Sequence, residues 1–219
     1  DDEGRTWSTQ DEVVVPHDPA GRNRMSVSLL RLQDGRIALF YLDKRSTDDC
    51  RPVVRFSSDE ARSWSEPQQV IPDDEIGYYV VNNDRVVQLR SGRLVVPASM
   101  HAPKGRPYRS SGVMMCYLSD DAGRTWRRSR TTLAEPETMQ EPGVVELKDG
   151  RLLMFIRTAL GSQYLSESTD GGETWSPARP SELVSPQSPA SIERIPTTGD
   201  LLVVWNRNHE PGARGAGRR

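Results

Sequence analysis

The residues best placed for chemistry in this 219-residue chain are a carboxylate and a guanidinium in the stretch QEPGVVELKDGRLLMFIRT, Gln140 to Thr158. Glu141 opens one apolar run and Arg157 closes the next, with a Gly-centred turn between the runs. Antiparallel pairing brings the chain back to the level it left, so both side chains arrive at the same end of one hairpin. A guanidinium there can hold an anion through paired charge-assisted hydrogen bonds, and a carboxylate is an ordinary side-chain base. The same two residues also make a plain ion pair that braces a hairpin, and their spacing alone does not separate the two roles.

Anion binding by this chain has to be local. Lys and Arg number 29 against 31 Asp and Glu, a net charge of -2, which gives no general pull toward nucleic acid or an anionic membrane surface. If the apolar runs are strands, the residues at the start of each first strand and the end of each second strand converge on one cavity. Those are Asn23, Arg24, Lys44, Asp49 and Arg51 in one repeat, and Tyr79, Asn82, Asn83, Asp84, His101 and Arg109 in the next. Glu141, Arg157 and Gln163 follow, then Gln187, Asn206, Arg218 and Arg219. The cavity so predicted is polar and rich in cationic anchors. His101 reads either as a catalytic base or, more in keeping with its type, as a satisfied loop histidine. Asn82, Asn83 and Asp84 either face the cavity or cap a strand edge, and Tyr78 and Tyr79 either pack or stack on a ligand.

The elements that must position these residues repeat along the chain. STDGGETW (Ser168 to Trp175) has near-copies in SDDAGRTW (Ser119 to Trp126) and SSDEARSW (Ser57 to Trp64), with the end of a fourth in DEGRTW (Asp2 to Trp7). A second phrase keeps step: LQDGRIALFY, LRSGRLVVPA, LKDGRLLMFI and PTTGDLLVVW. Each joins two short Val/Ile/Leu-rich runs through a turn, the pattern of a β-hairpin, and a third and a fourth run follow. Four strands per unit, recurring at roughly 50 to 60 residues without a helical period, predict an all-β chain of propeller blades. In the Asp-containing phrase, Ser/Thr and Asp side chains can bond turn amides, Gly supplies positive φ, and Trp can plug the gap between neighbouring sheets.

No apolar run approaches the roughly 18 residues that span a bilayer. Cys50 and Cys116 match no metal motif and read as two unpaired thiols. The few His and Cys form no ligand cluster, so neither a metal nor an organic cofactor is implied.

The Asp-containing phrase resembles the Asp-box, also called the BNR repeat, of the sialidase (neuraminidase) superfamily, in the form S-x-D-x-G-x-T-W. The copy at Ser57 departs from it, with Ala61 and Ser63 in place of Gly and Thr. The resemblance implies a six-bladed β-propeller, of which about four blades are represented. Residues 8–71 would be blade 2, 72–133 blade 3, 134–183 blade 4 and 184–219 the start of blade 5. It further implies an exo-sialidase-like glycoside hydrolase that removes terminal sialic acid, or a related acidic sugar, from glycans.

Glu141 and Arg157 match the family's fourth blade, where a Glu precedes an Arg across a hairpin. In the resemblance Glu141 activates a tyrosine nucleophile, while Arg157 with Arg219, or its neighbour Arg218, clamps the sugar carboxylate. Asn83, Asp84, Tyr79, Arg24, His101 and Gln163 are the further candidates for substrate contact. The Asp-box carboxylates Asp59, Asp121 and Asp170 are expected only to staple turns.

The family's first clamp Arg and its acid/base Asp belong to blade 1 and its Tyr to blade 6. No residue here is assigned to those roles, and the 219 residues alone are expected to be inactive. The partner expected is a sialylated or other acidic glycan. A non-catalytic Asp-box propeller that binds carbohydrate or protein is the alternative reading, and an enzyme of another acidic polysaccharide is a second.

Overall fold

The computed structural model describes residues 4–16, 19, 21–134 and 138–207, so Arg218 and Arg219 lie outside the described residues. The chain is all-β apart from one 3-10 turn, Asp73–Glu75. The first unit is β1 (Asn23–Arg31), β2 (Ile37–Lys44), β3 (Cys50–Ser57) and the short β4 (Gln68–Gln69). In the second unit the inner strand is divided into β5 (Gly77–Val80) and β6 (Val87–Gln88), followed by β7 (Leu94–Pro103), β8 (Val113–Ser119) and β9 (Arg127–Arg128). The third is β10 (Met139–Glu146), β11 (Leu152–Thr158), β12 (Ser162–Ser168) and β13 (Arg179–Val184), and β14 (Ser191–Arg194) pairs β15 (Leu201–Val204) in the last. Neighbours within each unit are antiparallel, and a single parallel bridge, Cys50 to Tyr78, joins the first two units into one nine-stranded sheet.

The core lies between successive units, which is why their middle strands read as continuous apolar runs rather than alternating ones. Leu42, Val54, Tyr79, Val96 and Tyr117 fill the space between the first and second units. Cys116, Leu118, Met154, Ile156 and Trp175 fill the next, and Val145, Phe155 and Ile192 the last. Both cysteines are free and buried, and burial pushes the Cys50 thiol up to about 12.

The Asp-box turns are stapled as their residue types require. Asp121 accepts the Thr125 amide at 2.9 Å and the Thr125 hydroxyl at 2.6 Å, while Ser119 Oγ accepts the Gly123 amide at 2.8 Å. Asp170 repeats this with Thr174, and Asp59 with Ser63. Hydrogen bonds to Thr125 hold the Asp121 carboxyl down at about 2. Ala61 takes φ 65 where Gly172 has φ 90, a left-handed conformation that costs a residue with a Cβ about 1 kcal/mol.

Trp175 closes the gap between the second and third units, and Trp126 meets Phe40 of the preceding unit edge-on at 6.0 Å. Trp7 differs, being 85% exposed. In the first two units the Arg of the Gly-Arg turn adds a tie to the following unit: Arg36 donates to the carbonyl of Ala122 at 2.9 Å, and Arg93 to that of Gly171 at 3.0 Å. No helix among the described residues is long and apolar enough to cross a membrane.

Candidate functional site

The β10–β11 hairpin carries the site through an irregularity. Gln140 pairs with Arg157 and Gly143 with Phe155, so Glu141 and Pro142 together oppose Ile156 as a bulge. Glu141 sits there at φ 49, a left-handed backbone that costs a non-glycine residue on the order of 1–3 kcal/mol. Its carboxylate lies 2.8 Å from Nη1 of Arg157, with the two side chains 19% and 14% exposed. The hairpin thus brings both residues to one end, as their spacing predicts. Arg157 Nε is buried without a hydrogen-bond partner, so the guanidinium retains donor capacity.

The inner strands of the first two units carry the same left-handed kink: Ser26 at φ 60 beside the β1 irregularity, and Asp84 at φ 54 where β5 gives way to β6. These strands approach one another. The Asp84 amide donates to the carbonyl of Val27 at 3.0 Å, and the Arg85 amide to Ser28 Oγ at 2.9 Å.

Arg85, which the sequence reading passed over, runs from the second unit to the last. Its guanidinium lies over the Phe155 ring at 5.1 Å and donates to the carbonyl of Ala190 at 2.5 Å. Burial lowers the pKa of Arg85, opposed by the nearby carboxylates of Glu141, Glu193 and Asp84. Those three acids and Arg85 place the inner strands of three units around common ground.

His101 flanks this ground as a satisfied, buried residue. Its Nδ1 faces the carbonyl of Arg109 at 2.8 Å and its Nε2 the hydroxyl of Ser99 at 3.1 Å, which assigns the ring proton to Nδ1. Burial lowers its pKa, so the ring is neutral near pH 7. Its imidazole stacks on Tyr108 with centroids 5.0 Å apart. Asn83 and Asp84 are exposed at the kink.

Three of the residues anticipated as ligand contacts are placed otherwise. Tyr79 is 1% exposed, edge-on to Tyr117 and donating its hydroxyl to the carbonyl of Glu75 at 3.0 Å, so it belongs to the core. Successive residues of β5 face opposite sides, which leaves Tyr78 half-buried and turns Tyr79 inward, while the register slip opposite them falls at His101 of β7. Gln163 is fully buried, with Nε2 donating to Ser185 Oγ and to the carbonyl of Ser188, both at 2.8 Å, and ties β12 to the segment before β14. Arg24 donates to the carbonyl of Pro16 at 2.8 Å and lies 3.5 Å from Asp43. It lines a separate cleft of about 210 Å³ whose walls include neither Glu141 nor Arg157.

Among the described residues no cluster of His, Cys, Asp or Glu has the makings of a metal site. A larger recess of about 410 Å³ opens among the Gly-centred turns. Its cations are committed: Arg90 to Glu146, Lys148 to Asp200 and Arg194 to the carbonyl of Glu146.

A family model described as BNR repeat-like domain matches residues 1–218. An anhydrosialidase of Macrobdella decora is 32% identical over a stretch covering 62% of this chain and 18% of that protein. A sialidase of Micromonospora viridifaciens is 29% identical over 88% of this chain and 33% of its own length. The chain therefore spans a third or less of the length of these curated relatives.

Among solved structures, a protein of unknown function from Dyadobacter fermentans superposes with a TM-score of 0.75 at 23% identity, over 95% of this chain and 63% of that one. The sialidase of Trypanosoma rangeli gives 0.68 at 18% identity, over 92% of this chain and 37% of its own. At such identities the likeness is one of fold. With its stapled turns in step with its hairpins, the chain belongs to the BNR repeat-like domain family, in the sialidase superfamily with its β-propeller-type fold.

Proposed function

We propose that this chain contributes the Glu141–Arg157 part of a site at which a terminal sialic acid, or a related acidic sugar, is bound and cut from a glycan. The observation that carries the reading is the partly exposed ion pair held in a strained bulge, with the buried Nε of Arg157 left without a hydrogen-bond partner. Sialic acid bears a carboxylate on its anomeric carbon, and a guanidinium binds such a group through a two-point charge-assisted contact.

A carboxylate nucleophile facing that group at about 4 Å would meet a repulsion of about 1 to 4 kcal/mol, for effective dielectrics between 80 and 20. A neutral tyrosine hydroxyl avoids this cost and needs a base beside it, the role given to Glu141. In this reading residues 8–71, 72–133 and 134–183 are successive blades, 184–219 opens another, and Arg219 or Arg218 supplies a second clamp.

A non-catalytic glycan-binding role is the second reading, because the Glu141–Arg157 pair can hold an acidic sugar whether or not a nucleophile faces it. Both readings require Arg157 to hold the sugar. Calorimetric titration with N-acetylneuraminate should show binding by the wild type that Arg157→Ala weakens about tenfold to a hundredfold, the worth of a charged hydrogen-bond pair. Arg157→Lys, which keeps the charge but not the fork, should fall between. Equal affinity in wild type and Arg157→Ala would remove the basis of the proposal.

A further inference from the structure

The loop between β7 and β8, residues 104–112, is fastened to the strand that carries Glu141. Gln140 donates its side-chain amide to the carbonyl of Ser110 at 2.7 Å, and the Gly112 amide donates to the carbonyl of Met139 at 2.8 Å. A Cβ on Gly112 would meet Ser99 Cβ at 2.9 Å and His101 Nε2 at 3.0 Å, so the end of the loop lies hard against its own sheet. This fixed loop presents Tyr108, 54% exposed, with its ring parallel to His101 and edge-on to Tyr78 at 5.4 Å. Lys44 Nζ lies over the Tyr78 ring, 5.1 Å from its centroid.

Many arginines of the molecule are neutralised, although among the described residues the exposed Arg22, Arg62 and Arg124 also have no carboxylate within ion-pair distance. Arg24, Arg45, Arg51, Arg128 and Arg157 each have a carboxylate within ion-pair distance. Among the described residues Arg106 and Arg109 have none, and both are exposed. Lys104, also exposed, has Asp48 in its neighbourhood. In a chain of net charge -2, a strip of two unneutralised guanidiniums, a partly neutralised Lys104 and an exposed ring adjoins the Glu141–Arg157 pair.

We propose that this strip is a track for the acidic sugar units behind the terminal residue, so that the substrate class is an anionic polysaccharide whose chain leaves the site across Tyr108. The proposal rests on the site reading above and extends it outward. A ring held flat by His101 and Tyr78 offers a stacking face for a pyranose, and Arg106 and Arg109 offer charge to carboxylates that recur along the chain. A glycan with a neutral interior would gain the stacking and forgo the charge. A nucleic acid would use both, but the basic residues adjoin the Glu141–Arg157 pair, and a net charge of -2 gives no general pull toward a nucleic acid.

The test is affinity electrophoresis of the 219-residue chain in gels containing α2,8-linked polysialic acid, polygalacturonate, single-stranded DNA or neutral dextran. Retardation by either acidic polysaccharide, weakened by added salt and about tenfold weaker in Arg106→Ala/Arg109→Ala, is the expected result. Retardation by polysialic acid alone would narrow the class to that sugar, and retardation by both would assign recognition to the charge repeat. Tyr108→Ala should weaken binding in a manner that salt does not mimic, and the charge-reversed Arg106→Glu/Arg109→Glu should abolish it.

Undiminished binding by the charge-reversed chain overturns the proposal, as does equal retardation by single-stranded DNA or by dextran. The monosaccharide titration reports on the Arg157 site alone. Its failure would strike both readings of that site, while the polymer gels would still decide the track.

Discussion

Glu141→Gln in the full-length protein should lower kcat for a fluorogenic sialoside by about a hundredfold to ten-thousandfold, the usual worth of a positioned general base. The substitution preserves side-chain shape, so the bulge at Gln140–Gly143 and the neighbouring Arg157 are expected to keep their places. It removes the negative charge 2.8 Å from the guanidinium, which frees Arg157 for an anionic sugar. KM should therefore stay level or fall while kcat collapses, a split that simple misfolding does not produce. Unchanged kcat would deny Glu141 any part in proton transfer.

Gly143→Ala should destabilise the fold by about 3 kcal/mol, the upper end of ordinary overpacking. A Cβ at Gly143 would overlap the ring of Phe155, with Cε1 at 2.8 Å and two further ring atoms nearer still. The ring has nowhere to go, being 2% exposed, packed with Val145 and Ile192, and covered by the Arg85 guanidinium. Chemical denaturation compares the two proteins directly, and a difference below about 0.5 kcal/mol would show that the ring can shift. The site should suffer together with stability, because Gly143 closes the bulge that aims Glu141.

How far the sequence could be read follows from which contacts are local. Asp-box turns are made within eight consecutive residues, so Asp121, Ser119 and Thr125 announce their own hydrogen bonds. The Glu141–Arg157 pair needs only one hairpin and a correct alignment of its arms, and a bulge at the open end did not part them.

Tyr79 and Tyr78 are neighbours on a strand with opposite faces, and nothing in YYVV says which of the two the core claims; the structure buries Tyr79. Gln163 was misplaced because its partners, Ser185 and Ser188, lie beyond the fourth strand of its unit. Arg85 was invisible for a stronger reason: its carbonyl partner is 105 positions further on, and only the assembly of units brings the two together. Its sole signal is a charged residue heading the apolar run RVVQL, where a free strand end would not require one. The clamp residues Arg218 and Arg219 lie outside the described residues, so their part in the site stays with the proposal.

The central claim is that Arg157 receives the carboxylate of a terminal acidic sugar beside Glu141. The most direct measurement is a crystal structure of the protein with N-acetylneuraminate bound. The account predicts the sugar carboxylate on the Arg157 guanidinium at about 2.7–2.9 Å, with the anomeric carbon on the side of Glu141. A carboxylate seated instead in the cleft beside Arg24, or among the turns near Arg90 and Lys148, with Arg157 still held only by Glu141, would contradict it.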